Sequence, residues 1–236
     1  MKHVRTRWLM AALLVLLPGL PAPAQTPTTQ ILPEVDANVG LNSNVRLAFQ
    51  VKAYITEGDL TRWEIGPSIE AYAKPLEALK HVTIFDLDET KCTPVLFSIG
   101  YRYLPSPNQP TINRMEPVVM FHFPLKGLLI TDRNRADLDS SDGSFYWRYR
   151  NRLAAEHRLT IHSYHPGPYA SAEVLYESKY TKWASTRLYA GCLLPLSKHS
   201  EFNPYYEHEN NTGPRPNRQI NTAGLILTLY FPRDKK

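Results

Sequence analysis

Arg148, Arg150 and Arg152 recur at every second residue of the stretch FYWRYRNRLAAEHRLTIH (145–162), and Glu156 and Arg158 fall on the same parity. A guanidinium is always charged and offers a planar fork of donors that fits carboxylates, phosphates and similar anions. A row of them on one strand face has two chemical uses. They satisfy buried carboxylates across the wall, or they line a water-filled passage and attract anionic solutes. The other parity holds Phe145, Trp147, Tyr149, Asn151, Leu153, Ala155, His157, Leu159 and Ile161. Successive strand side chains point to opposite faces, so this period of two is a strand signal, and a helix would mix the two sets. Strands of soluble sandwiches run to roughly 5–6 residues, whereas a tilted membrane strand needs about 9–11.

Other strand-like stretches supply further inward charges. Arg46, Lys52, Arg62, Arg102, Arg114, Lys179 and Arg187 stand against Glu64, Glu70, Glu116, Glu173 and Glu177. A hairpin centred on Pro166, with His162 near Tyr169, sets Arg158 opposite Glu173. The next hairpin brings Glu177 close to Arg187. The expected lumen-lining set is therefore Arg148, Arg150, Arg152, Glu156, Arg158, Glu173, Glu177 and Arg187.

Catalytic chemistry finds little to work with. A hydrolase needs a nucleophile, a base and an orienting group within reach of one another. His157 lies on the outward parity, its expected cross-hairpin neighbour is Val174, and no serine accompanies it. His162 and His165 straddle a turn without partners at ligand spacing. No phosphate-cradling loop or paired-carboxylate signature occurs. We expect no enzyme, no cofactor and no metal. The acidic runs 86–89 and 137–142 suit solvated loops, with divalent cations as the other use of their oxygens. Cys92 and Cys192 are too few for a disulfide scaffold, although one bridge between them is open to an exported chain.

These side chains need a scaffold, and the start of the chain says in which solvent. Lys2, Arg5 and Arg7 precede an apolar run of ten residues (8–17), and Ala22-Pro23-Ala24 follows. That is the form of a secretory signal peptide over 1–24, too short for a spanning helix. Without its three cations the net charge falls from +5 to +2, so the basic balance does not argue for nucleic acid. After a short leader (25–33), one domain covers 34–236. Alternation recurs over 34–41, 45–54, 62–74, 81–87, 95–103, 113–123, 128–136, 145–162, 169–180, 183–196, 201–209 and 221–231. An exported chain of this kind spans a membrane as an all-β, antiparallel up-and-down barrel, in which closure pairs every backbone group. The count is twelve strands, or ten without the first segment and 81–87, and an even count places both termini on the periplasmic side.

WRYRNR (147–152), DRNR (132–135), PYASAEVLYESKY (168–180), LYAGC (188–192) and the closing PYYEHENN and LTLYF resemble a Gram-negative outer-membrane β-barrel family of unknown function. The resemblance implies fold and location, the cell outer membrane, and brings no activity, cofactor or site residue. The expected partners are outer-membrane lipid and lipopolysaccharide, the barrel-assembly machinery and a small anionic solute. The expected function is a narrow passive, porin-like channel. Its rivals are a plugged structural or interaction barrel and an outer-membrane lipid-modifying enzyme.

Overall fold

A computed structural model of the chain describes residues 27–73, 87–125 and 127–232. The expected signal segment and residues 81–86 of one candidate strand lie outside them. Eleven strands form among the described residues: β1 (Thr28–Gly40), β2 (Val45–Thr56), β3 (Asp59–Tyr72), β4 (Val95–Ser106), β5 (Gln109–Leu125), β6 (Leu128–Ser141), β7 (Ser144–His157), β8 (Gly167–Glu177), β9 (Lys182–Ser197), β10 (Ser200–Asn211) and β11 (Arg218–Phe231). Each pairs with its sequence neighbours, and β1 pairs with β11, which closes the barrel.

The closure corrects the expected count. β3 pairs directly with β4, so no further strand stands between them in the wall. Eleven is odd, and β1 and β11 consequently run the same way and pair in parallel, from Thr28 opposite Ile220 to Val39 opposite Phe231. Every other pair is antiparallel. The start of β1 and the end of β11 therefore lie at opposite mouths, not at one. β1 also begins six residues before the expected 34, so most of the expected leader is strand. We call the mouth where β1 starts the turn mouth, since the β2–β3, β4–β5 and β6–β7 hairpins turn there through two residues each. Glu57-Gly58 and Asp142-Gly143 both have positive φ at both positions, the backbone that a tight hairpin needs.

The faces separate as the alternation requires, with the usual order of a soluble protein inverted. Phe97, Ile99, Leu153 and Leu188 point outward and are more than half exposed, while Arg102, Arg114, Glu64 and Glu116 are buried inside. Outside, Trp147, Tyr176 and Trp183 pack together near the turn mouth, with ring centroids 5.5 and 5.7 Å apart. Inside, Gly224 lets a tyrosine lie flat on the wall. A Cβ there would sit 1.9 Å from the Tyr205 ring.

Candidate functional site

Lumen charges stand on β1 to β10, and the densest group is on β5 to β10. On β6 one parity presents Arg133, Arg135, Asp137 and Asp139, and β7 sets Arg152, Arg150, Arg148 and Tyr146 against them in register. β8 brings Glu173 opposite Arg152, and β9 brings Arg187 opposite the same Glu173. One carboxylate thus serves several cations. Arg150 grips it as a fork at 2.9 and 3.2 Å, Arg133 reaches it at 3.0 Å and Arg152 at 3.4 Å, with Arg187 at 3.8 Å. Tyr189 donates its hydroxyl to the same oxygen at 3.0 Å, and the Arg152 guanidinium lies 3.9 Å over the Tyr189 ring. Asp137 accepts from Arg135 and, at 3.0 Å, from Arg148. Asp139 is gripped by Arg114 at 2.5 and 3.0 Å.

The pairs are oriented. The side chains of Glu173, Asp137 and Asp139 have no exposed surface, whereas those of Arg133, Arg148, Arg152 and Arg187 keep 21–24%. The carboxylates form the wall and the guanidiniums form the surface in front of it. That surface bounds a chamber of about 270 Å³ in the half of the lumen nearer the turn mouth. Across it stand Glu34, Glu64, Glu207 and Glu209, which hold Lys52 at 2.6 Å, Arg114 at 3.8 Å and Arg187 at 3.4 and 2.9 Å. The Nε atoms of Arg133, Arg148 and Arg152 are buried without a hydrogen-bond partner, and that of Arg187 faces Glu207 at 3.4 Å. A guanidinium-faced surface favours an anion or an ordered water layer.

A second chamber, of about 370 Å³, fills the other half, and Gln50, Arg133, Arg135, Asn203 and Ile226 border both. Its mouth is crossed by a short plug, the 3-10 turn Glu89–Cys92 with its flanks. Asp88 accepts from Arg46 at 2.7 Å and from both the amide and hydroxyl of Thr90. Lys91 reaches Glu156 at 2.7 Å. Thr90 and Thr93 are fully buried, and His122 Nδ1 lies 2.8 Å from the Thr93 carbonyl. Burial alone would raise the Asp88 carboxyl. The charges of Arg46 and Lys91, with the Thr90 hydrogen bond, outweigh it and hold the group well below the usual carboxylate range. Burial likewise works against the Lys91 ammonium, and Glu156, Glu201 and Asp88 reverse it.

Of the expected lining residues, Arg148, Arg150, Arg152, Glu173 and Arg187 meet at one wall. Glu156 and Arg158 lie together at the plug mouth, 3.1 Å apart. Glu177 stands opposite Arg148 and Lys182 near the turn mouth and does not border the chamber. Three expected pairs are corrected, and the first of them is Glu177 with Arg187, since Glu177 faces Lys182 while Arg187 faces Glu173. Glu173 faces Arg152 and Arg187, because β7 ends at His157 and residues 158–166 form the connection. Val174 accordingly faces Asn151, while His157 faces Leu128 and its ring bonds the Gly127 carbonyl. The acidic runs are not solvated loops: Asp137 and Asp139 belong to β6, and Asp88 pins the plug. Cys192 is a free thiol. Among the described residues no group of three or more His, Cys, Asp or Glu is placed to hold a metal ion, and no helix is long and apolar enough to cross a membrane.

A family model described as a protein of unknown function (DUF2490) matches residues 94–220, from the edge of β4 into β11 and more than half of the chain. No curated protein matches the chain.

Proposed function

The chain belongs to the DUF2490 family, and on that premise we propose that it is an outer-membrane barrel whose guanidinium-faced chamber takes up small anionic solutes and passes them slowly. The outward apolar parity, the aromatic cluster near one mouth and the secretory form of residues 1–24 support the location. The observation that carries the solute reading is the orientation of the ion pairs. Charges of both signs are close to balanced in the wall, yet a solute in the chamber meets the arginines, because Glu173, Asp137 and Asp139 sit behind them. Barrels of about eight strands are filled by their side chains and open porins have about sixteen to eighteen, so eleven leaves room for chambers and not for a wide bore.

The plug favours a second reading, a barrel that binds anions and does not conduct. Planar-bilayer recordings of the refolded protein separate the two. Small conductance steps with an anion preference that falls in the double variant R148Q/R150Q support passage. Absent steps, together with a phosphate- or citrate-dependent rise in unfolding midpoint that the same variant abolishes, support binding alone. No steps and no anion-dependent midpoint would overturn the proposal.

A further inference from the structure

The outward parity is apolar or aromatic along most of the wall, and polar exceptions such as Asn113, His208 and Asn221 lie near the turn mouth. β6 and β7 break the pattern in mid-strand. Outward on β6 come Leu128, Ile130, Asp132, Asn134, Ala136 and Leu138, and on β7 Trp147, Tyr149, Asn151, Leu153 and Ala155. Among the described residues, Asp132 is the one Asp, Glu, Lys or Arg that faces outward within a strand interior.

The group is already half organised. Asn151 donates its amide to Asp132 at 2.7 Å and to Asn134 at 3.0 Å, and Tyr149 donates its hydroxyl to Asn134 at 2.5 Å. These bonds use both hydrogens of the Asn151 amide and the carbonyl of Asn134. They leave the Asn134 amide hydrogens, the Asn151 carbonyl and one Asp132 oxygen open. Lipid tails offer none of these groups a partner. The patch is rimmed by Val119 and Phe121 on β5 and by Ala172 and Val174 on β8, so no side chain of the wall completes it.

We propose that this patch is the contact between two copies of the chain lying side by side in the membrane, an inference that rests on the outer-membrane reading. The open valences are self-complementary. Asn134 and Asn151 stand directly opposite each other in the register, and a two-fold axis along the membrane normal brings Asn134 of one copy against Asn151 of the other. The spare Asn134 hydrogens then meet the spare Asn151 carbonyl, twice over. This is the isologous contact that a closed dimer uses. Ala136, Ala155 and Ala172 beside the patch let the two walls approach closely, as small residues do between membrane segments, and amide groups hydrogen-bond across such contacts.

The test uses the full chain refolded into dimyristoylphosphatidylcholine vesicles and counts subunits by single-molecule photobleaching across a range of protein-to-lipid ratios. Wild type should pass from monomer to dimer. The double variant N134L/N151L should need at least ten times more protein per lipid to do so, with its β-sheet circular dichroism and heat-modifiable gel shift retained. N134A provides a gentler change at the same point and should fall between them. A wild type that stays monomeric, or leucine variants that dimerise equally, would overturn the proposal while leaving the membrane reading intact. A more stable, equally monomeric leucine variant would mean that the patch simply faces lipid. Wild type that does not enter vesicles at all would overturn both readings.

Discussion

Arg152 and Glu173 stand directly opposite each other across the β7–β8 pair, with Nη2 3.4 Å from Oε2. Glu173 is also the shared counter-ion of Arg133, Arg150 and Arg187, so four guanidiniums converge on this carboxylate. Removing one partner of a buried ionic cluster strands the others, at a cost of roughly 3–5 kcal/mol. We expect Glu173→Leu to destabilise the folded barrel by about that amount in guanidinium titrations in lipid, and Arg152→Gln by much less, since its charge is one of four. Equal losses would mean that the wall does not depend on Glu173 as its hub.

Much of this wall was legible in the alternation, and where it was not the physics is specific. Arg133, Arg135, Asp137 and Asp139 share one parity, so the period of two runs on past residue 136. The acidic run 137–142 reads as a solvated loop, although the turn that exists is the Asp142-Gly143 dipeptide, a hairpin signal in its own right. The β7–β8 register was harder, because a connection over 158–166 has no two-residue turn to set it, and a shift of six residues keeps every side chain on its proper face. The plug has no periodicity, and its place depends on Arg46, Glu156 and His122 from three strands distant in sequence. The odd strand count is a property of closure, invisible to any local pattern.

The plug should respond to pH at the extremes alone. A carboxyl held low, as Asp88 is, contributes stability that is present above its unfolded value near 3.9 and is lost as pH falls below it. An ammonium held high, as Lys91 is, contributes stability that is present below about 10.4 and lost above it. Among the described residues, the groups facing the pair include Arg46 with Glu70 on β2 and β3, His122 on β5, Glu156 on β7, Glu201 on β10 and Tyr230 on β11. Thr93 is fully buried, so a thiol reagent should label Thr93→Cys slowly between about pH 5 and 9, in a background lacking Cys92 and Cys192. Relative to the unfolded protein at the same pH, which removes the fall in thiolate fraction, labelling should accelerate below about pH 4, and Asp88→Asn should bring that fast relative labelling to neutral pH. A rate for Asp88→Asn at pH 7 equal to that of the parent would show that the ion pair does not hold the plug.

Outward and inward positions should differ in what they tolerate. Leu227 on β11 faces outward between Val35 and Phe202, and Ala155 on β7 faces outward beside Ile130. Lysine at either position should cost ~2–4 kcal/mol near the bilayer midplane. Asn38→Lys, inside the second chamber among Asp36, Asp88 and Glu201, should cost far less. Urea or guanidinium midpoints in vesicles read the difference. Comparable losses at Leu227 and Asn38 would mean that the outer parity does not meet hydrocarbon.

The parallel seam makes the sharpest structural claim, since it separates eleven strands from any even count. In a parallel pair both chains advance together, so partners step in the same direction: Val35 faces Leu227 and Ala37 faces Leu229. In an antiparallel seam the second partner would move the other way, and Ala37 would face Leu225. Cysteines placed at 35 and 227, and separately at 37 and 229, should both cross-link with a short bifunctional thiol reagent in the folded barrel. The pair at 37 and 225 should not, because those positions lie four residues apart along the seam, roughly 13 Å at the ordinary rise of a strand. Both outward faces are apolar, so each cysteine is a mild change, and the free Cys192 is replaced by serine beforehand with Cys92. Cross-linking of 37 with 225 in place of 37 with 229 would require a twelfth strand or a reversed β1, and would bring the two chain ends back to one mouth.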